Sequence, residues 1–273
     1  MNIIKFIESF TNESFLNSKS SRRDSFGQFG TVGKNAAMAA IPFGLATFLA
    51  PQKSSAASTT FFGPQETPIE ALQLALILEY LEDEFYATAL ATTGLIPSAH
   101  QTIFTQIAKH EKDHVEFLVS QLGDAAPARP TFDFTGGQGN PGGPFNPFGD
   151  YDTFLALSQA FEDTGVRAYK GQAGNLLGQP ALLKAALQIH SVEARHASQV
   201  RRLRMEKGWI EGDDRGGLPE AAQAVYDGED NSMQLFFNTS SVSGIPSAAG
   251  PESFDEPLTG AQATSIASLF IVP

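Results

Sequence analysis

From Thr67 onward, apolar residues recur at the three- and four-residue steps of amphipathic helices in four separate runs. Leu72, Leu76 and Tyr86 share one stripe of the first run, and Phe104, Ile107 and Leu118 one stripe of the second. Phe154 and Tyr169 line the third; Ala186, Ile189, Val200 and Leu203 line the fourth. Start and stop signals bracket the runs. Thr67-Pro68-Ile69-Glu70 joins a capping threonine, a proline suited to the first helical position and a glutamate that closes a capping box, predicting a helix to about Thr93, before Gly94. Ser98-Ala99-His100-Gln101 offers a second box, with a helix to about Leu122 stopped by Gly123. A third helix is predicted from near Asp152 to Gly171–Gly174, and a fourth from Pro180 to about Lys207, before Gly208.

The connections order these helices. The first and last links are short, so each flanking pair must form an antiparallel hairpin. Between the pairs lie about 28 residues, 123–150, dense in Pro, Gly and Phe, which at about 3.3 Å per residue can run the length of a bundle. The prediction is an all-α fold, a four-helix bundle of two hairpins joined by a long crossover; a flexible linker between separate hairpins is the alternative. Phe132, Phe134, Phe145 and Phe148 in the crossover read as pegs onto the bundle, with a ligand-binding lid as the sharper option. Beyond the bundle, residues 219–227 suggest another helix, 238–251 a surface loop, and Thr259-Gly260-Ala261-Gln262 caps a last helix through Ser268. No strand pattern stands out. The domains expected are a leader at 1–58, the bundle at 59–208 and a C-terminal extension at 209–273 packed on it.

The apolar stripes are interrupted by the wrong chemistry for a core. Glu79 lies on the first, Glu111 and His114 on the second, Glu162 on the third, Glu193 and His196 on the fourth. Glu79 precedes Tyr86 by seven residues, as Glu162 precedes Tyr169. Glu79 to Glu111 is 32 residues and Glu162 to Glu193 is 31, so each half reads Glu-x6-Tyr and then Glu-x2-His. With 17 Glu and 5 His in 273 residues, chance supplies about 0.3 Glu-x2-His motifs, so a matched pair is specific. Four carboxylates and two imidazoles in one core would repel and lose their hydration; a pair of divalent cations removes that cost. Oxygen ligands with imidazole suit iron or manganese, and also zinc.

The bland reading is a buried ion-pair lattice. Lys112, Arg167 and Arg195 lie near the stripe in sequence, but Lys112 and Arg195 point elsewhere, and the metal reading is preferred. Glu82 stays open as a substitute for Glu79, since Glu82 and Asp83 flank that stripe. Tyr86 and Tyr169 are expected to hydrogen-bond carboxylates across the bundle, ahead of an electron-relay role or plain aromatic packing. His190 reads as ordinary packing, His110 as facing away from the site, and His100 carries no signal.

Composition narrows the chemistry. The chain has no Cys, which excludes disulfides, thiolate metal sites and cysteine nucleophiles. Its net charge of −12 disfavours nucleic-acid and polybasic-membrane roles. Before Thr60, Arg22-Arg23 precede a weakly apolar stretch at 35–50 and small residues Ser54-Ser55-Ala56-Ala57-Ser58, which resembles a bacterial twin-arginine export signal. That resemblance implies a periplasmic or extracellular protein, with no stable membrane insertion after cleavage.

Glu79, Glu111, His114, Glu162, Glu193 and His196 together resemble the ligand set of the ferritin-like di-metal-carboxylate superfamily. Leu78-Glu79-Tyr80-Leu81-Glu82, His110-Glu111-Lys112-Asp113-His114, Phe161-Glu162-Asp163 and Phe254-Asp255-Glu256-Pro257-Leu258 are similar to exported ferritin-like proteins related to plant desiccation-related proteins. The resemblance implies a ferritin-like bundle with Glu111 and Glu193 bridging two metals, Glu79 and Glu162 terminal, and one histidine on each metal. It implies two transition-metal ions, iron first and manganese second, reacting with oxygen or peroxide. The alternative is a non-catalytic stress- or desiccation-associated envelope protein with a structural metal site or none. Iron storage is a third reading, which the long crossover and C-terminal extension disfavour. Partners are then metal ions and oxygen or peroxide, no nucleic acid, and a homodimer is left open.

Overall fold

The computed structural model describes residues 66–273; the expected export signal and leader, 1–58, lie outside the described residues. Helix α1 (Pro68–Ala91) starts as its box dictates: Thr67 Oγ1 accepts from Glu70 N at 3.2 Å, and Glu70 Oε2 accepts from Thr67 N at 2.7 Å. Helix α2 (Gln101–Leu122) does not use the second box. Ser98 lies inside a turn closed by His100 N to Pro97 O, so the helix begins three residues later, and the Gln101 amide donates back to Ile96 O. Gly123, at φ 53°, ends it.

Helix α3 (Tyr151–Gln172) is capped by Asp150, which accepts from Thr153 N at 2.8 Å, and Pro180 opens α4 (Pro180–Leu203). The fourth helix stops four residues short of Lys207. Met205 turns left-handed at φ 64°, Glu206 N bonds back to Arg201 O, and the Arg204 guanidinium is drawn to Gln159 and Gly216 O. Helix α1 packs along α2 and α3 along α4, with the hairpins meeting mainly through α1 and α3. Among the described residues no helix is long and apolar enough to cross a membrane.

The crossover is fastened by its phenylalanines. Phe134 and Phe145 are buried, and Phe85 of α1 sits 5.3 Å from Phe134, 5.6 Å from Phe148 and 5.2 Å from Phe154, ring centre to ring centre. The C-terminus then crosses the crossover: Asp133 N donates to Phe270 O and Val272 N to Thr131 O.

The segment after α4 differs from the sequence reading in two places. A 3-10 helix, Glu220–Val225, stands where a longer helix was expected, and a small antiparallel hairpin pairs β1 (Met233–Gln234) with β2 (Phe237–Asn238). Strands this short carry no alternation to read. The last helix, α5 (Gly260–Ser268), forms with its Thr259/Gln262 capping box.

Every residue of α3 from Leu157 to Tyr169 is buried, because the bundle covers one side and the C-terminal segment the other. Arg167 joins the two. Its guanidinium donates to the carbonyls of Val225, Asp227 and Glu256 and lies 2.7 Å from Glu229 Oε1. Asp163 pairs with Arg201 and accepts from the Tyr226 hydroxyl at 2.9 Å. Burial alone would hold the Glu229 carboxyl's proton, and even beside Arg167 its pKa is pushed up to about 7.

At Gly171 the contact with the extension is closest, since an added Cβ would sit 1.8 Å from Leu258 O. Gly171→Ala is therefore expected to destabilise the protein by about 1–3 kcal/mol in chemical denaturation. Gly178→Ala, where an added Cβ meets nothing within 4 Å, should stay within about 0.5 kcal/mol of wild type.

Candidate metal centre

Each long helix turns its interrupted stripe to the same interior point. Glu79, Glu111, Glu162 and Glu193 all have 0% exposure and His196 has 5%. His114 Nδ1 lies 3.2 Å from Glu79 Oε2, 3.0 Å from Glu111 Oε2 and 3.2 Å from Glu193 Oε1. His196 Nδ1 lies 2.8 Å from Glu111 Oε1 and 3.2 Å from Glu162 Oε2. The six residues thus form two overlapping groups, Glu79/Glu111/His114/Glu193 and Glu111/Glu162/Glu193/His196, within each of which one donor atom per residue lies within 4.8 Å of the others. Glu111 and Glu193 belong to both.

These groups satisfy one another only in part, with His114 Nδ1 in hydrogen-bond reach of Glu79 Oε2 and Glu111 Oε2. Glu111 Oε1, Glu162 Oε2, both Glu193 oxygens and His196 Nδ1 are buried with no hydrogen-bond partner. The short His196–Glu111 approach is charge proximity without hydrogen-bond alignment. Leaving so many buried polar atoms unpaired is costly, and the donors are oxygen and imidazole, so the residues fit divalent transition metals. Among the described residues no lysine or arginine forms an ion pair with any of the six. Arg167, the nearest candidate in sequence, is spent on the C-terminal segment.

Proton affinities carry the same strain. Burial first, then the Glu193 charge, raises the Glu79 pKa, and burial raises those of Glu111 and Glu193. Burial would lower His196, but Glu162 and Glu111 outweigh it and push it up to about 11. Burial would likewise lower His114; the carboxylates of Glu111, Glu193 and Glu79 raise it instead. A cation placed there competes with these protons.

The tyrosines act reciprocally between hairpins. Tyr86 on α1 donates to Glu162 Oε1 of α3 at 2.5 Å, and Tyr169 on α3 donates to Glu79 Oε1 of α1 at 2.5 Å. Burial, reinforced by those carboxylates, pushes both phenol pKa values well up, which keeps them donors. Each terminal glutamate is thereby left one oxygen for the interior.

Glu82 is also buried, at 2% exposure, yet belongs to neither donor group. It faces Gly165, where an added Cβ would lie 3.1 Å from Glu193 Oε2 and 3.5 Å from Glu82 Oε1. Asp83 turns outward to Arg129. The geometry therefore assigns Glu79 to the cluster and Glu82 to its border. His190 sits half-buried with its ring 3.0 Å from Val166 O, and His100 bonds the Tyr151 hydroxyl.

His110 corrects the sequence reading. It does not face away: its Nδ1 lies 2.8 Å from His196 Nε2, bridging α2 and α4. A rotation of one residue from Glu111 takes its side chain off the stripe but onto the seam with the opposite hairpin, which a single-helix projection does not contain. The available signal was the ridge Gln106, His110, His114 at steps of four. Burial, then the neighbouring His196, lowers the His110 pKa and favours its neutral ring.

Removing one clamp should cost more than its packing. Tyr169→Phe or Tyr86→Phe is expected to lose about 1.5–3 kcal/mol, measured by denaturation of the metal-free protein, because each deletes a bond to a buried carboxylate. The raised pKa values also set a pH sign. Groups whose folded pKa exceeds the unfolded one stabilise the metal-free protein below the unfolded value and lose that effect through the folded one. Melting temperature without metal should therefore fall as pH rises above about 6.5 toward the His196 value of about 11, and metal affinity should rise over the same direction.

A model of the ferritin-like domain matches residues 67–206, the stretch that holds all four long helices and all six cluster residues. Among curated proteins, none matches the chain. Spanning half the sequence and agreeing with both the paired-hairpin architecture and the duplicated Glu/His geometry, that match places the chain in the ferritin-like domain family.

Proposed function

We propose that this is an exported ferritin-like protein whose Glu79, Glu111, His114, Glu162, Glu193 and His196 hold two transition-metal ions, iron or an iron–manganese pair, for redox chemistry with oxygen or peroxide. The observation that carries the reading is the set of buried, unpartnered oxygens and nitrogen converging from α2, α3 and α4, where Glu79 of α1 joins them. When bound, a pair of such ions supplies electrons for reducing an O–O bond.

The chain's own residues do the rest. Glu111 and Glu193, common to both donor groups, would serve both positions; Glu79 and Glu162 would each serve one, each oriented by a tyrosine of the other hairpin. Phe85, Phe104 and Phe154 on one side, and Leu76, Leu118 and Ile189 on the other, exclude water. His114, with 11% of its side chain exposed, forms the most open edge among the six and is where a small oxidant would enter. Export rests on Arg22-Arg23, the apolar stretch and the small residues that follow.

One observation favours a second reading. The four glutamates have no exposure at all, which also suits a metal that staples the bundle of a desiccation- or stress-associated envelope protein. Metal analysis of protein purified without chelators separates these. About two ions per chain, absent from Glu111→Ala/Glu193→Ala, are expected. Oxygen or peroxide consumption by the Fe(II)-loaded protein supports the redox reading. A sharp fall in melting temperature on chelation, with no consumption by the loaded form, supports the staple. A folded protein that takes up neither Fe(II) nor Mn(II) overturns both.

A further inference from the structure

We infer that His110 is a positioning residue for His196 and that it makes the two metal positions unequal, the one at Glu111, Glu162, Glu193 and His196 binding more tightly and filling first. This rests on the metal reading above. His196 presents Nδ1 to the carboxylates, 2.8 Å from Glu111 Oε1 and 3.2 Å from Glu162 Oε2. A lone pair on Nδ1 for a cation requires the ring proton on Nε2, and that N–H needs an acceptor in a largely dry interior. His110 Nδ1 stands 2.8 Å away, its ring tilted only 13° from the His196 plane. On its far side, His110 Nε2 lies 2.6 Å from the amide nitrogen of Gln106. Rotated by 180°, that exposed amide would present Oε1 instead, and the chain would then run His196 Nε2–H to His110 Nδ1 and His110 Nε2–H to Gln106 Oε1, with both imidazole donors satisfied. Gln106 itself is exposed, so the chain ends at solvent.

The other half of the site lacks this support. His110 stands four residues before His114; four residues before His196 stands Val192, whose side chain can neither donate nor accept. Among the described residues no protein group hydrogen-bonds His114 Nε2. The duplicated motif is thus symmetric in its ligands and asymmetric in what orients them. A partner on the far nitrogen of a ligating histidine is worth about 10–100-fold in metal affinity.

The test is Co(II) titration of the full chain, followed by calorimetry and visible absorption, for wild type, His110→Leu and His110→Asn, with folding checked by circular dichroism. Wild type should bind in two unequal steps. His110→Leu should weaken the tighter step about 10–100-fold and leave the weaker one in place, and His110→Asn, which keeps an acceptor near Nδ1, should recover most of the loss. In the Co(II)-loaded wild type, proton NMR should show a slowly exchanging, paramagnetically shifted imidazole N–H that His110→Leu abolishes. Two equal steps in wild type, an unchanged tighter step in His110→Leu, or a uniform loss at both steps that His110→Asn does not repair would each overturn the inference while leaving the metal reading intact. No uptake of Co(II), Fe(II) or Mn(II) by folded wild type would instead remove the metal reading, and this inference with it.

Discussion

Four carboxylates and two imidazoles share one dry interior, and the rest of the molecule is arranged around that constraint. An uncompensated charge in such a place costs several kcal/mol, and a cluster of like charges costs more than the sum. Protons can relieve part of it, which is why burial drives the carboxyl pKa values of Glu79, Glu111 and Glu193 up and the carboxylates drive the imidazole values of His114 and His196 up. Protons nevertheless leave five buried atoms unpaired. Cations would engage them together, and the shared membership of Glu111 and Glu193 means neither position is independent of the other.

Holding that cluster demands that the two hairpins keep register to within a hydrogen bond. The reciprocal tyrosines do this at the site, each hairpin gripping the other's terminal glutamate. Farther out, Phe85 receives the crossover phenylalanines, and the C-terminal segment closes over α3. Helix α3 consequently has no solvent-facing side from Leu157 to Tyr169, and some of its polar residues there take partners outside the bundle. Arg167, Asp163 and Gln159 find them in the extension: backbone carbonyls, Glu229 and the Tyr226 hydroxyl. The extension is therefore part of the core of the fold, although the family match ends at residue 206.

Much of the architecture was legible because helices are local. Caps at Thr67 and Thr259, prolines at helix starts and period-3.6 stripes depend on residues a few positions apart, and a glutamate on an apolar stripe is conspicuous without any coordinates. The failures have equally physical causes. Ser98 is a good capping residue, but the turn from Pro97 to His100 uses its position otherwise. Residues 219–227 carry helical composition, but the segment packed against α3 and α5 is 3-10, Glu220–Val225.

The sequence by itself determined the helices, their pairing into hairpins and five of the six residues of the cluster, since repeated spacing on amphipathic stripes forces those side chains inward. Only the tertiary structure decided which carboxylate of Glu79 and Glu82 joins the cluster, where Arg167 spends its charge, and that His110 meets His196. Those outcomes depend on distances between residues about 35 to 90 positions apart in the chain, set by how four helix surfaces interlock, and no local pattern encodes them.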